Sequence, residues 1–264
     1  SPSTVEGGPI TYTATITDAQ GKLVKVTGSD VVVTLANGEK ITIPVGQTGA
    51  SINVNAPNDV YNDAAPVKTS ITDTSGGDFE NLGADKTPVQ TTVSDKTDAT
   101  TVTLNASPST VEGGPITYTA TITDAQGKLV KVTGSDVVVT LANGEKITIP
   151  VGQTGASINV NAPNDVYNDA APVKTSITDT SGGDFENLGA NKTPVETTVS
   201  DTIDATTVTL NASPSTVEGG PITYTATITD AQGKLVKVTG SDVVVTLANG
   251  EKITIPVGQT GASI

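Results

Sequence analysis

The segment SPSTVEGGPITYTATITDAQGK begins at Ser1, again at Ser107 and a third time at Ser213, so the chain repeats itself every 106 residues. Residues 1–52, 107–158 and 213–264 are identical, and the first two copies differ only at Asp85/Asn191, Gln90/Glu196, Lys96/Thr202 and Thr97/Ile203. A unit of about 100 residues is near the commonest domain size and can carry its own core. Solenoid repeats are shorter, roughly 20–50 residues, and need their neighbours to fold. The period therefore predicts beads on a string. Identical tandem copies bring little to an enzyme, whereas a spacer, a tether or a multivalent binder uses each of them.

Composition removes several classes of function. There is no Cys, His, Met or Trp, and every basic residue is Lys. No disulfide staples the beads. Thr and Val dominate, which favours strand over helix. No run of about 18 apolar residues exists, so direct membrane insertion is not expected. The net charge is −14. Residues 1–106 carry twelve Asp/Glu and six Lys, and residues 107–212 carry twelve and five, so the charge follows the repeat. Such a chain repels phosphates, and neither nucleic acid nor anionic lipid is an expected partner.

Period-two alternation is the dominant pattern. In the second repeat it predicts seven strands: Thr101–Leu104, Ile116–Ile122, Val137–Leu141, Ile147–Val151, Ala156–Val160, Val173–Ile177 and Val195–Val199. In the second of these, Ile116, Tyr118, Ala120 and Ile122 face inward and threonines face out. Asn143-Gly144 marks a tight hairpin turn suited to positive φ. Pro150 cannot donate to a ladder, which puts the fourth strand at a sheet edge. The fold class is all-β, with tandem immunoglobulin-like, seven-stranded Greek-key β-sandwiches. The units are expected at 1–98, lacking the first strand, at 99–204, complete, and at 205–264, ending inside the fifth strand. Half a sandwich would expose its core, so both ends are read as cut points in a longer array.

The expected strands are nearly free of carboxylates, and the loops hold them. Antiparallel geometry puts three loops at one pole of each sandwich: STVEGGP, PNDVYNDAAP and the segment after the last strand. The loop after the second strand (Asp124) and the loop after the sixth (Asp179, Asp184, Glu186) fall at the opposite pole. At the first joint this gathers Glu6, Asp59, Asp63, Asp95 and Asp98 against Asp124, Asp179 and Asp184. The equivalent set at the second joint is Glu112, Asp165, Asp169, Asp201 and Asp204, with Glu218 and Asp230 following in the third copy. Crowded carboxylates repel unless a cation intervenes. A hard cation with six to eight oxygen ligands, Ca²⁺, fits this set; zinc would want His or Cys. Asp and Asn also collect in turns for local reasons, and Asp30, Glu39 and Asp73 are read as ordinary turn or surface residues.

TVTLNASPSTVEGGPITYTATITD, LANGEKITIPVGQT, APNDVYNDA, SGGDFENL and VSDTIDATTVTL, in that order, resemble the extender repeats of giant RTX adhesins, the biofilm and ice-binding surface adhesins of Gram-negative bacteria. The resemblance implies type I secretion, a bacterial Ig-like fold and Ca²⁺ that stiffens the domain joints. It also implies an extracellular place at the bacterial cell surface, with the adhesin's ligand bound elsewhere and the neighbouring repeats as the partners of each bead. By position it carries the ligand role to Glu6/Glu112, Asp59/Asp165, Asp63/Asp169, Asp95/Asp201 and Asp98/Asp204, and extends to Asp78/Asp184 and Glu80/Glu186. The glycine- and aspartate-rich nonapeptide that names RTX proteins is absent. Lys96 beside the first set is expected to weaken that joint, and Asn191 in place of Asp85 marks a position that is not an essential anionic ligand.

Catalysis is not expected. Without His, Cys or Arg only carboxylates, Ser and Lys remain, and the acids sit in repeated loops with no aromatic walls for a sugar. The alternative to an extender is a multivalent module, binding glycans for example, with Tyr61 and Tyr167 as exposed anchors; the same tyrosines also suit packing over the sandwich end. Phe79 and Phe185 are read as caps on the core.

Overall fold

The structure is a computed structural model that describes residues 1–264. It contains strands and turns and no helix. The second repeat shows why the alternating segments fold as they do. Ala99–Ala106 pairs antiparallel with Pro115–Asp124, which pairs on its other side with Gly155–Asn161. Lys146–Ile149, Val137–Leu141 and Ile177–Ser181 lie side by side in the facing sheet. The inward positions Val102, Leu104, Ile116, Tyr118, Ala120, Ile122, Val137, Val139, Ile147 and Ile149 form one buried cluster between the sheets. Each buried Val, Leu or Ile contributes about 1.5–3 kcal/mol. The first repeat has its own cluster around Ile10, Val31, Ile41 and Ile43, and the third a smaller one around Ala226, Ile253 and Ile255. The first two repeats are immunoglobulin-like β-sandwiches in tandem, and residues 205–264 form the first strands of a third.

The strand Lys146–Ile149 is an edge strand, with Pro150 directly after it. Its hairpin with Val137–Leu141 closes through Leu141 N–H to Glu145 O at 2.9 Å and Gly144 N–H to Leu141 O at 3.0 Å. Within this turn only Gly144 takes positive φ, 88°, and Asn143 does not. The turn is thus a three-residue loop closed by a left-handed glycine, rather than a two-residue turn with both Asn143 and Gly144 left-handed.

Other segments differ from the expected strands. Ser109–Val111 pairs parallel with Val195–Ser200, because the chain bends at Ser107-Pro108 and leaves the first sheet for a three-stranded one with Val195–Ser200 and Val173–Thr175. Three residues are too few for alternation to show. Asn187–Ala190, expected as loop, pairs parallel with Ala99–Ala106 and extends the first sheet. The sixth strand is split at Ser176. Val173–Thr175 pairs with Val195–Ser200, whereas Ile177–Ser181 pairs with Val137–Leu141 across a register shift between Thr140 and Leu141. That strand continues to Ser181, four residues beyond its expected end at Ile177, and takes Asp179 with it.

Candidate metal centre

The loop at Glu6 is shaped by the two glycines after it. Glu6 N–H donates to Ser94 O at 3.0 Å, and Gly8 N–H donates back to Val5 O at 2.9 Å. Gly7 has φ 66°, in the left-handed region. Gly8 has no room for a side chain, since a Cβ there would meet Thr4 Oγ1 at 2.5 Å and the Val5 carbonyl oxygen at 2.9 Å. Ala56 N–H binds Gly8 O at 2.8 Å and ties this loop to the start of PNDVYND. The tight turn leaves Glu6 buried, at 5% exposure.

Around Glu6 the other carboxylates are fixed by main-chain donors. Asp59 Oδ1 accepts from Tyr61 N–H at 2.8 Å, and Asp95 Oδ1 from Ala64 N–H at 2.7 Å. Glu6, Asp59 and Asp63 offer oxygens that all lie within 4.8 Å of one another, and so do Glu6, Asp95 and Glu186. Glu186 belongs to the second repeat and reaches across the joint, where its Oε2 accepts from Asp98 N–H at 2.7 Å. Glu6 Oε2 and Glu186 Oε1 are buried without a hydrogen-bond partner. Two carboxylates cannot bond to each other unless a proton or a cation lies between them. Burial first, then sharing a proton with Glu186 and repulsion from Glu186 and Asp59, push Glu6 up to about 7, against the lowering effect of the Lys96 N–H. Asp63 is raised as well, mainly by Asp59, with burial, Asp95 and Asp184 adding to it.

The remaining expected residues divide. Asp98 lies beside the cluster, accepting from Asn58 Nδ2 at 2.6 Å and facing Lys96 Nζ at 3.4 Å. Asp124 faces Asp59 and Asp98 across a groove, but its Oδ1 is engaged in its own turn by Gln126 and Lys128 N–H, both at 2.9 Å. Asp184 adds its charge near Asp63 without entering either triad. Asp179 is opposite Thr140 within a strand, away from the pole where its expected loop would have put it. The contributor from the second repeat is Glu186, which loop geometry places at the correct pole without counting it among the clustered acids, and which only the family resemblance marks as a ligand. Its signal is the SGGDFEN string: Gly182 and Gly183, at φ 89° and 73°, turn the chain so that Phe185 packs inward and Glu186 projects toward the joint.

The matching family model covers residues 1–96, 98–202 and 204–264 and describes a LapA domain. The chain belongs to the LapA-domain family. No curated protein matches it. Among solved structures, domains 1–6 of the surface layer protein SbsC align at 14% identity and TM-score 0.27, over 91% of this chain and 30% of that one. The titin I9–I11 tandem aligns at 11% identity and TM-score 0.22, over 98% and 83% of the two chains. A Porphyromonas gingivalis W83 protein of unknown function aligns at 10% identity and TM-score 0.19, over 62% and 81%. The chain thus spans less than a third of the SbsC fragment. The sandwich fold rests on the strand order above rather than on these loose overlays.

The second pair of LapA domains repeats one of the two triads, the one whose three residues belong to a single repeat. Glu112, Asp165 and Asp169 bring oxygens within 4.8 Å of one another, and Glu112 is again buried, at 7% exposure. Asp201 Oδ1 accepts from Asp169 and Ala170 N–H at 3.1 and 2.8 Å, and Asp204 Oδ2 from Asn164 Nδ2 at 3.0 Å. In the third LapA domain Glu218 is exposed, and Asp230 caps its own turn through Gln232 and Lys234 N–H. An all-oxygen set with two orphaned buried oxygens fits a hard divalent cation and offers nothing to a soft one. A hard cation could be held by Glu6, Asp59 and Asp63 or by Glu6, Asp95 and Glu186, two triads that share Glu6, and it would neutralise charge that crowds the joint. Asp85 and Asn191 lie outside it: each caps a turn through its side-chain oxygen, to Thr87 and Thr193 N–H.

Proposed function

We propose that this array of LapA domains is the calcium-stiffened extender of a secreted bacterial adhesin, holding a ligand-binding region away from the outer membrane. LapA is a large biofilm adhesin, so the family match makes the chain a structural region of an adhesin-like protein. One observation carries the finer reading: a carboxylate cluster built on a buried glutamate recurs at both joints. Calcium binding there would order the joints rather than the beads, whose cores lie elsewhere. Type I secretion and a cell-surface location follow from the same reading. A multivalent glycan module would need a free aromatic face on each bead. Tyr61 and Tyr167 are instead engaged at the joints, donating their hydroxyls to Lys131 O at 2.7 Å and Lys237 O at 2.8 Å.

The test is calcium titration of the full chain, followed by thermal melting and small-angle scattering. Chelation is expected to lower the melting temperature and to turn an extended particle into a more flexible one. The repeats should advance on the order of 40 Å each, from the rise of six- to ten-residue strands plus loops. Melting and scattering that ignore EDTA would overturn the proposal, and reproducible binding of the chain on a glycan array would favour the module instead.

A further inference from the structure

The first joint holds a second connection that uses no carboxylate. Val60 and Tyr61, from the first repeat, pack against the hydrophobic cluster of the second. Tyr61 forms an antiparallel bridge with Phe185. Its bonds are Asn62 N–H to Asp184 O at 3.2 Å and Glu186 N–H to Val60 O at 3.1 Å. Bonds on both sides of a residue pair mark the arrangement in which facing side chains come closest. The rings of Tyr61 and Phe185 accordingly lie 5.6 Å apart, tilted by 32°. The Tyr61 hydroxyl extends across to Lys131 O, on a different loop of the same pole. One loop thus grips its neighbour at two separated points, which fixes roll as well as distance.

The receiving surface is built by the second repeat's own fold. Gly182 and Gly183 make the turn, and Phe185 rests on Gly183, where a Cβ would come within 2.7 Å of the ring. Phe185 also packs on the core of its own domain. Every bond in the contact runs between main-chain groups or from a phenol to a carbonyl. The contact therefore needs no cation to form, even though its two segments also carry Asp59, Asp63 and Glu186 of the carboxylate cluster. The hydroxyl half recurs at the second joint, where Tyr167 meets Lys237.

We infer that the Val60-Tyr61-Asn62 segment is a cation-independent docking element for the following repeat, which keeps successive beads oriented when the carboxylate cluster holds no ion. The chelated array is then a set of restricted hinges whose closed geometry is already selected, and an ion that arrives has only to tighten it. This goes beyond the calcium reading and does not depend on it.

The test is amide exchange on the full chain in EDTA and in calcium, read at residue resolution on the segment Asp184–Asn191. Asn191 distinguishes that segment by mass from the otherwise identical Asp78–Asp85. The reporter is the Glu186 amide, whose bond crosses the joint. The amides of Asn187–Asn191 that bond within their own repeat, such as Asn191 N–H to Val102 O at 2.9 Å, serve as the internal control. In EDTA, Glu186 should exchange on the order of tenfold slower in the wild type than in Tyr61→Ala, the factor expected for one hydrogen bond plus one aromatic pair. Tyr61→Phe keeps the ring and loses the hydroxyl bond, so it should fall between the two. The control amides should be equal in all three, which separates loss of docking from loss of fold. A Glu186 amide as fast in EDTA-treated wild type as in Tyr61→Ala would overturn the inference, and so would full protection in Tyr61→Ala. A chain whose stability ignores calcium would sink the extender proposal and leave this one standing.

Discussion

Above pH 7, where Glu6 is ionised, replacing it with Gln should change stability in opposite directions with and without calcium. Without an ion, Glu6 faces Asp59 and Glu186 with oxygens no more than 4.8 Å apart. Two unit charges at that distance repel by about 3.5 kcal/mol at an effective dielectric near 20 and by about 0.9 kcal/mol in water. The site lies between these limits, because Glu6 is buried while Asp59 is exposed. Neutralising Glu6 should then stabilise the chelated first repeat by about 1–2 kcal/mol, which for a domain of this size is a rise of about 5–15 °C in melting temperature. In saturating calcium the same change removes a charged ligand oxygen. Mass-action stabilisation falls with affinity, and at a hundredfold excess over Kd it is worth about 2.7 kcal/mol. The variant should therefore melt below wild type in calcium and above it in EDTA. Differential scanning calorimetry of the full chain, with each repeat's transition resolved, is the assay. If Glu6→Gln lowers the melting temperature in both conditions, Glu6 is a structural carboxylate holding its own loop, and the electrostatic argument for an ion fails.

Stability in EDTA should also depend on pH with a defined sign. Glu6 rises from the usual 4.5 to about 7 in the folded chain, so between those values the native state binds more protons than the unfolded one. The stability from the protonated form is complete below about pH 4.5 and is lost as pH rises through about 7; a denaturant midpoint that climbs over that window in EDTA would contradict this. Lys96→Thr installs the residue found at position 202 and removes the amine 3.4 Å from Asp98. Calcium affinity at the first joint should then rise by about two- to fivefold, the range of an exposed ion pair, as measured by calorimetric titration. Gly8→Ala forces a Cβ into the Val5 carbonyl and the Thr4 hydroxyl and should cost about 1–3 kcal/mol in a urea midpoint, with or without calcium.

Much of this fold was legible because its largest signals are periodic. The inward set Ile116, Tyr118, Ala120 and Ile122 follows from alternation alone, and all four are buried. The short parallel strands were not legible. Ser109–Val111 and Asn187–Ala190 exist because long-range partners offer them hydrogen bonds, and their own three or four residues carry no pattern. The same distinction governs the joint. Glu6, Asp59, Asp63 and Asp95 come together because loop polarity follows from strand direction. Asp179 is misplaced because its strand extends to Ser181, whereas Asp124 does reach the joint, facing Asp59 and Asp98 with one oxygen held in its own Asx turn. The Tyr61–Phe185 contact pairs a residue with one 124 positions later, and nothing local in either loop announces it.

The four differences between the first two repeats now fall into two kinds. Asp85/Asn191 exchanges one turn-capping oxygen for another and leaves the bond to the residue two positions on in place. Gln90/Glu196 adds an exposed pair, Lys174 Nζ to Glu196 Oε2 at 3.0 Å, a type worth about 0–1 kcal/mol. Neither reaches a core or a joint. Lys96/Thr202 and Thr97/Ile203 both lie in the linker, between the aspartates that flank each cluster, and one of them changes the charge beside it. Every buried core position common to the two repeats is identical, so both beads fold by the same packing. What varies is the electrostatics of the connection. A repeat array that keeps its cores fixed and varies the charge of the linker beside its carboxylates changes the electrostatics of one joint relative to the next, while the Tyr61 and Tyr167 hydroxyl bonds to Lys131 O and Lys237 O stay the same.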